Sequence, residues 1–143
     1  IIPQQKMFFR FIGQPGIIDL VQIKKMIVGV YDFKLMYTNG DIRGRRSGRK
    51  YLEKALGKDE AEFAEFSPLQ RVNELKAPVL LIQGEKDKRT PLIHANKLAD
   101  RLKELGHEFE YYITPNEGHT LGYKTENRVA NYERIRGWFD RYL

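Results

Sequence analysis

Between Pro78 and Gly84 the chain reads Val-Leu-Leu-Ile-Gln, four branched apolar residues in succession with no polar alternation. A run this short, bounded by proline and glycine, fits a strand covered on both faces, as in the interior of a parallel sheet. What comes next limits how such a strand can be used. Thr90-Pro91 offers an N-cap and a first-turn proline, and Leu92, Ala95, Leu98, Leu102 and Leu105 then mark one helical face until Gly106 ends it. Residues 109–113 form a second β-rich run. A strand, a helix and a strand at this spacing join parallel strands through a right-handed crossover. The predicted class is therefore α/β, with about three parallel strands flanked by helices; residues 26–30, MIVGV, supply the third strand.

The rest of the chain is organised around that unit. Residues 1–16 carry no clean period, and residues 17–25, IIDLVQIKK, read as a short helix, so that 1–25 stands as an irregular N-terminal segment and 26–143 as one α/β region. Residues 31–46 read as a long irregular connection with a turn at Asn39-Gly40. Two short helices are expected over 48–56 and 59–66, the second opened by a capping box of Asp59 and Glu62 and closed by Pro68. Val129, Tyr132, Ile135, Phe139 and Tyr142 form the apolar stripe of a terminal helix.

Composition narrows the function classes. With 41% hydrophobic and 31% charged residues in 143, the chain has the balance of a soluble globular domain. It has no cysteine, hence no disulfide framework and no thiolate metal site. No apolar run reaches the roughly 18 to 20 residues of a membrane span, the N-terminal stretch does not read as a signal peptide, and no membrane partner is expected. The net charge of +6 is densest at RGRRSGRK, residues 43–50. Without aromatic platforms or a groove-reading helix beside it, that stretch reads as a solvated loop and helix start, and no nucleic acid partner is expected. The compartment stays open.

In open α/β sheets, functional groups gather beyond the carboxyl ends of the strands. Those positions are GEKDKRTP, residues 84–91, and TPNEGHT, residues 114–120, and each holds one candidate: Asp87 in the first and His119 in the second. Strands roughly 5 Å apart bring the two loops together. A carboxylate bonded to one imidazole nitrogen fixes the tautomer and leaves the other nitrogen free to take a proton from a nucleophile. Taken singly, either residue is more simply a turn former; the pair, at these strand ends and in this order, follows the acid-then-base order of α/β-hydrolases, in which the serine comes first. His94 and His107 read as structural or solvated, and Glu85 and Glu117 as flanking charges. No metal-ligand spacing and no cofactor motif is present. Ser47 and Ser67 are the only serines, and neither lies in G-x-S-x-G. The nucleophile is expected upstream.

Ser67-Pro68, the stretch PVLLIQGEKD with Asp87 three residues after Gly84, the helix-opening Pro91, Gly118-His119, and VGVYDFKLMYTNGDI over residues 28–42 together resemble the C-terminal catalytic region of the prolyl oligopeptidase family of serine peptidases, which includes dipeptidyl and acylaminoacyl peptidases. The resemblance implies that Asp87 and His119 are the acid and base of a catalytic triad and that the substrates are peptides. It also implies that the chain pairs with a missing N-terminal part of the catalytic domain that carries the nucleophile. A carboxylesterase on the same fold and a non-catalytic remnant that associates with another chain are the alternatives.

Overall fold

Three parallel strands, in the order β1-β2-β3, form the sheet of the computed structural model, which describes residues 24–27, 29–57, 59, 61, 63, 67–120 and 122–142. β1 is Lys24–Ile27, β2 is Val79–Gly84 and β3 is Phe109–Thr114. Every residue of the central β2 is buried, as its unbroken apolar run requires. Successive side chains of a strand point to opposite faces, so Val79 and Leu81 enter one core and Leu80 and Ile82 the other.

Helices cover both faces. α3, Leu92–Glu104, presents Ala95, Leu98, Ala99 and Leu102 to the core that also holds Val79, Leu81, Tyr31, Val72 and Leu75. α4, Thr125–Tyr142, covers Leu80 and Ile82 with Trp138, flanked by Ile135, Phe139 and Tyr142. The unit β2-α3-β3 has the parallel crossover anticipated for it, and the α/β class holds.

Several expected boundaries move. β1 begins at Lys24, two residues before the predicted strand, pairing Lys24 with Val79 and Ile27 with Ile82. Lys24 and Lys25, assigned to a helix over 17–25, are therefore strand; the remainder of that helix lies outside the described residues. Gly29 has left the strand: its N–H donates to the Tyr31 hydroxyl, and a Cβ there would stand 2.3 Å from the Tyr31 ring. The folded-back ring stops the pairing that a continued strand would need.

The connection expected to be irregular over 31–46 contains a helix, α1, Phe33–Thr38, and a 3₁₀ turn, Asp41–Gly44. Asp32 caps α1 by accepting from the Lys34 N–H at 2.9 Å, and Phe33 and Leu35 are buried. A helix of six residues is too short to display a period. α2, Arg46–Leu56, starts two residues earlier than expected, and Gly57 closes it with φ of 87°. Of the segment 59–66, Ala61 and Phe63 are helical and Asp59 accepts from the Ala61 N–H, while Glu62 lies outside the described residues.

The apolar stripe expected on α4 holds in its second half, where Ile135, Phe139 and Tyr142 pack on the core with Trp138, and fails in its first, where Val129 and Tyr132 are 50% and 66% exposed and Asn131 is buried. A polar residue takes the inward position because the Thr114 hydroxyl, at the end of β3, donates to Asn131 Oδ1 at 3.0 Å. No helix among the described residues is long and apolar enough to cross a membrane.

Candidate active site

β2 and β3 end in register, Gly84 opposite Thr114, so the two loops leave the sheet side by side. Gly84 permits their contact: a Cβ there would lie 2.2 Å from the Gly118 carbonyl oxygen and 2.7 Å from that of Glu117. Backbone bonds then bind one loop to the other, Glu85 N–H to Thr114 O at 3.0 Å and Lys86 N–H to Glu117 O at 2.7 Å. The Glu85 carboxylate accepts from the Asn116 N–H at 2.7 Å, and Asn116 sits at φ of 58°, a left-handed conformation that asparagine tolerates.

Within this frame Asp87 and His119 meet. His119 Nδ1 lies 3.0 Å from Asp87 Oδ2; the Asp87 side chain is fully buried and that of His119 is 35% exposed. An ionised carboxylate only accepts, so Nδ1 carries the proton and Nε2 is left as an acceptor. The carboxylate is held by four further donors. Oδ1 accepts from the Arg89 and Thr90 N–H groups at 2.9 and 3.0 Å, and Oδ2 from the Thr90 hydroxyl at 2.7 Å and Gln83 Nε2 at 2.9 Å. Burial alone pushes the Asp87 carboxyl up, but the Thr90 amide and hydroxyl, His119 and the Arg89 amide outweigh it, and its pKa falls below the ordinary value.

Thr90 was expected to cap α3, but Pro91 occupies the N-cap position and no side-chain capping bond is made. The Thr90 hydroxyl serves Asp87 instead, and the Thr90 carbonyl accepts from Gln83 Nε2 at 2.9 Å. Sequence reasoning missed Gln83 and Thr90 as site residues. A signal was available for the first: a glutamine ending a buried apolar strand must find partners, and a carboxylate four residues on is one.

Glu117 is more than a flanking charge. It is buried, and its Oε1 accepts from the Lys124 N–H and from Asn127 Nδ2, both at 2.9 Å, while Oε2 accepts from the Tyr123 N–H at 3.3 Å. Asn127 and then Lys124 hold its carboxyl below the usual range. Since Asn127 Nδ2 also donates to Pro115 O, the first turn of α4 clamps both ends of the turn that leads into His119. Asn127 had no sequence signal.

The other histidines stand apart. His107 Nε2 is bonded to Ala77 O at 2.8 Å, and His94 is buried within α3, where burial lowers its pKa. Ser67 Oγ accepts from the Phe33 N–H at 2.9 Å in a buried position, and Ser47 is exposed in the first turn of α2. Among the described residues no hydroxyl is bonded to His119 Nε2, and no three His, Cys, Asp or Glu side chains gather as metal ligands would.

Residues 25–143 match the model of the prolyl oligopeptidase family. The chain is 29% identical over 92 residues to the acylamino-acid-releasing enzyme of Arabidopsis thaliana, covering 64% of this chain and 12% of that protein. It is 35% identical over 106 residues to the uncharacterized peptidase YtmA of Bacillus subtilis (strain 168), covering 71% and 39%. The solved acylaminoacyl peptidase of Pyrococcus horikoshii superposes with a TM-score of 0.76 at 26% identity, over 89% of this chain and 21% of that one. The chain thus spans well under half the length of each.

Proposed function

The chain belongs to the prolyl oligopeptidase family, and from that premise we propose that it supplies the acid and the base of a serine peptidase site, with Asp87 orienting His119. The observation that carries this reading is the buried, fully hydrogen-bonded carboxylate 3.0 Å from Nδ1 of a partly exposed imidazole, which leaves Nε2 outside that bond. Nε2 takes the proton of a serine hydroxyl as that oxygen attacks the peptide carbonyl, and Asp87 stabilises the resulting imidazolium. His119 then gives the proton to the leaving amine as the acyl-enzyme forms. Water, activated by the same nitrogen, attacks the ester in turn and returns the serine to its resting state.

The serine comes from polypeptide outside these 143 residues. The Ser67 hydroxyl oxygen is engaged by the Phe33 N–H and Ser47 lies on α2, which leaves neither poised at Nε2. The substrates are short peptides, and the acylamino-acid-releasing relatives favour those with an acylated N-terminus. No cofactor takes part.

The test has two parts. The native protein is weighed intact and peptide-mapped, then treated with a serine-directed phosphonate; a label on a serine outside the present sequence is expected. Turnover of acylated peptide anilides is then compared with that of His119→Ala, which is expected to lose nearly all activity with its fold intact. Retained turnover in that variant overturns the assignment.

A further inference from the structure

The basic stretch that read as a solvated loop is fixed against the Asp87 loop. The Asp41 N–H donates to Lys88 O at 2.9 Å, and a Cβ on Gly40 would stand 3.2 Å from Arg89 O. The stretch itself is folded tightly, since a Cβ on Gly48 would meet Ile42 O at 2.3 Å. The segment that carries Arg43, Arg45, Arg46 and Arg49 thus continues from a backbone contact with the loop that carries Lys88 and Arg89, and Arg89 is anchored by its own N–H to Asp87 Oδ1 at 2.9 Å. All six side chains are exposed, and none forms an ion pair among the described residues.

Local physics opposes this arrangement. Arginines 45 and 46 sit at the N-terminus of α2, where the helix dipole favours acids, with no acid in the first turn and no side-chain cap. Arg45 and Arg49, and Arg46 and Lys50, are like charges four residues apart, which is destabilising on a helix surface. Four cations elsewhere on the surface, Arg71, Lys97, Arg101 and Arg134, have carboxylate partners, whereas none of these six does among the described residues. Glu53, four residues after Arg49, offsets part of that repulsion; local rules broken to this degree are expected at functional or strained sites.

We propose that this basic platform beside the Asp87 loop draws in and retains acidic peptides, so that the carboxylates of the substrate supply the counter-charge the protein withholds. This rests on the peptidase reading above and names its substrate class. A one-sign field at the edge of a cleft raises both local substrate concentration and on-rate, and salt weakens it.

The experiment uses the native full-length protein. It compares kcat/KM for matched peptides carrying glutamate, glutamine or lysine beside the cleaved bond, and binding of fluorescent glutamate and glutamine peptides by anisotropy. The acidic peptide is expected to be preferred about tenfold at low ionic strength, with the preference fading towards about 0.5 M salt. Arg45→Gln/Arg46→Gln/Arg49→Gln should abolish the preference and leave the glutamine peptide's kcat/KM unchanged; Arg43→Gln/Lys88→Gln is the second variant should the first fold poorly. Equal turnover of acidic and neutral peptides overturns the platform while leaving the peptidase reading intact. Absence of any peptide turnover overturns the peptidase reading, and anisotropy then judges the platform: acidic-peptide binding lost in the variants supports it, and binding absent or unaltered overturns it. A single-stranded oligonucleotide of equal charge that binds more tightly than the acidic peptide also overturns it.

Discussion

Asp87→Asn changes one atom, and its consequence follows from the donors around the carboxylate. The Arg89 and Thr90 N–H groups both aim at Oδ1, at 2.9 and 3.0 Å, and backbone donors cannot be turned around. They force the new amide oxygen into the Oδ1 position and the amide nitrogen into that of Oδ2. There the NH₂ faces three groups that now donate: the Thr90 hydroxyl at 2.7 Å, Gln83 Nε2 at 2.9 Å and His119 Nδ1 at 3.0 Å. The hydroxyl can rotate and accept. The imidazole can do so only by moving its proton to Nε2, the atom proposed above to act as base. Reversal of a tautomer in this way costs on the order of 10⁴-fold in turnover, about 5 kcal/mol on the barrier. Steady-state kinetics on the native protein should therefore show kcat collapsing with KM little altered, and ¹⁵N NMR should place the His119 proton on Nε2. Turnover within tenfold of the parent, or a proton still on Nδ1, would refute the reasoning.

Other perturbations test the same structure. Thr90→Val removes one charge-assisted donor to Asp87 and keeps the shape; unfolding in urea should show a loss of about 1.5 kcal/mol at neutral pH, and no loss would mean that the hydroxyl is not holding the carboxylate. Asp87 and Glu117 both have pKa values lowered by folding, so their contribution is present above their unfolded values near 4 and is lost as pH falls through the lower folded ones. The melting temperature should accordingly be flat from about pH 5 upward on their account and drop below about pH 4; a carboxylate-dependent drop already at pH 6 would contradict the assigned bonds. Glu117→Gln should leave His119 less well held, lowering kcat more than it raises KM, and unchanged kinetics would reduce Glu117 to a capping role. Leu81→Ala, at a fully buried position in the central strand, should cost about 2 to 5 kcal/mol by denaturant unfolding.

What was readable in the sequence was what depends on neighbours along the chain. The apolar run of β2 is uninterrupted because both its faces are covered, and Asp87 and His119 could be paired because each follows a legible strand. Glu117 and Asn127 were not placed because their bonds join the turn before His119 to the first turn of α4; Gln83 and Thr90 lie close to Asp87 along the chain, but spacing does not say where their side chains aim, and a capping residue before a proline was the simpler reading of Thr90. β1 was misplaced because Lys24 and Lys25 look like the end of a helix until their pairing with Val79 and Leu80 is known. The inward face of the first half of α4 was misjudged because Asn131 is polar and Tyr132 apolar, yet a single bond from Thr114 places the asparagine inside.

The carbonyls of Glu117 and Gly118, crowded against the bare α-carbon of Gly84, also bear on how this molecule can drift. A mutation that lengthens either turn, or adds a methyl group at residue 84, cannot be accepted by one loop alone. Residues 84–87 and 115–119 are thus heritable as one block, changing together or staying fixed. At Lys88, Arg89 and Tyr123 the side chains are exposed, and the bonds made there are backbone bonds that most other residues would keep. Variation among descendants should collect at those outer positions, altering what the site admits and leaving the acid and base where they are.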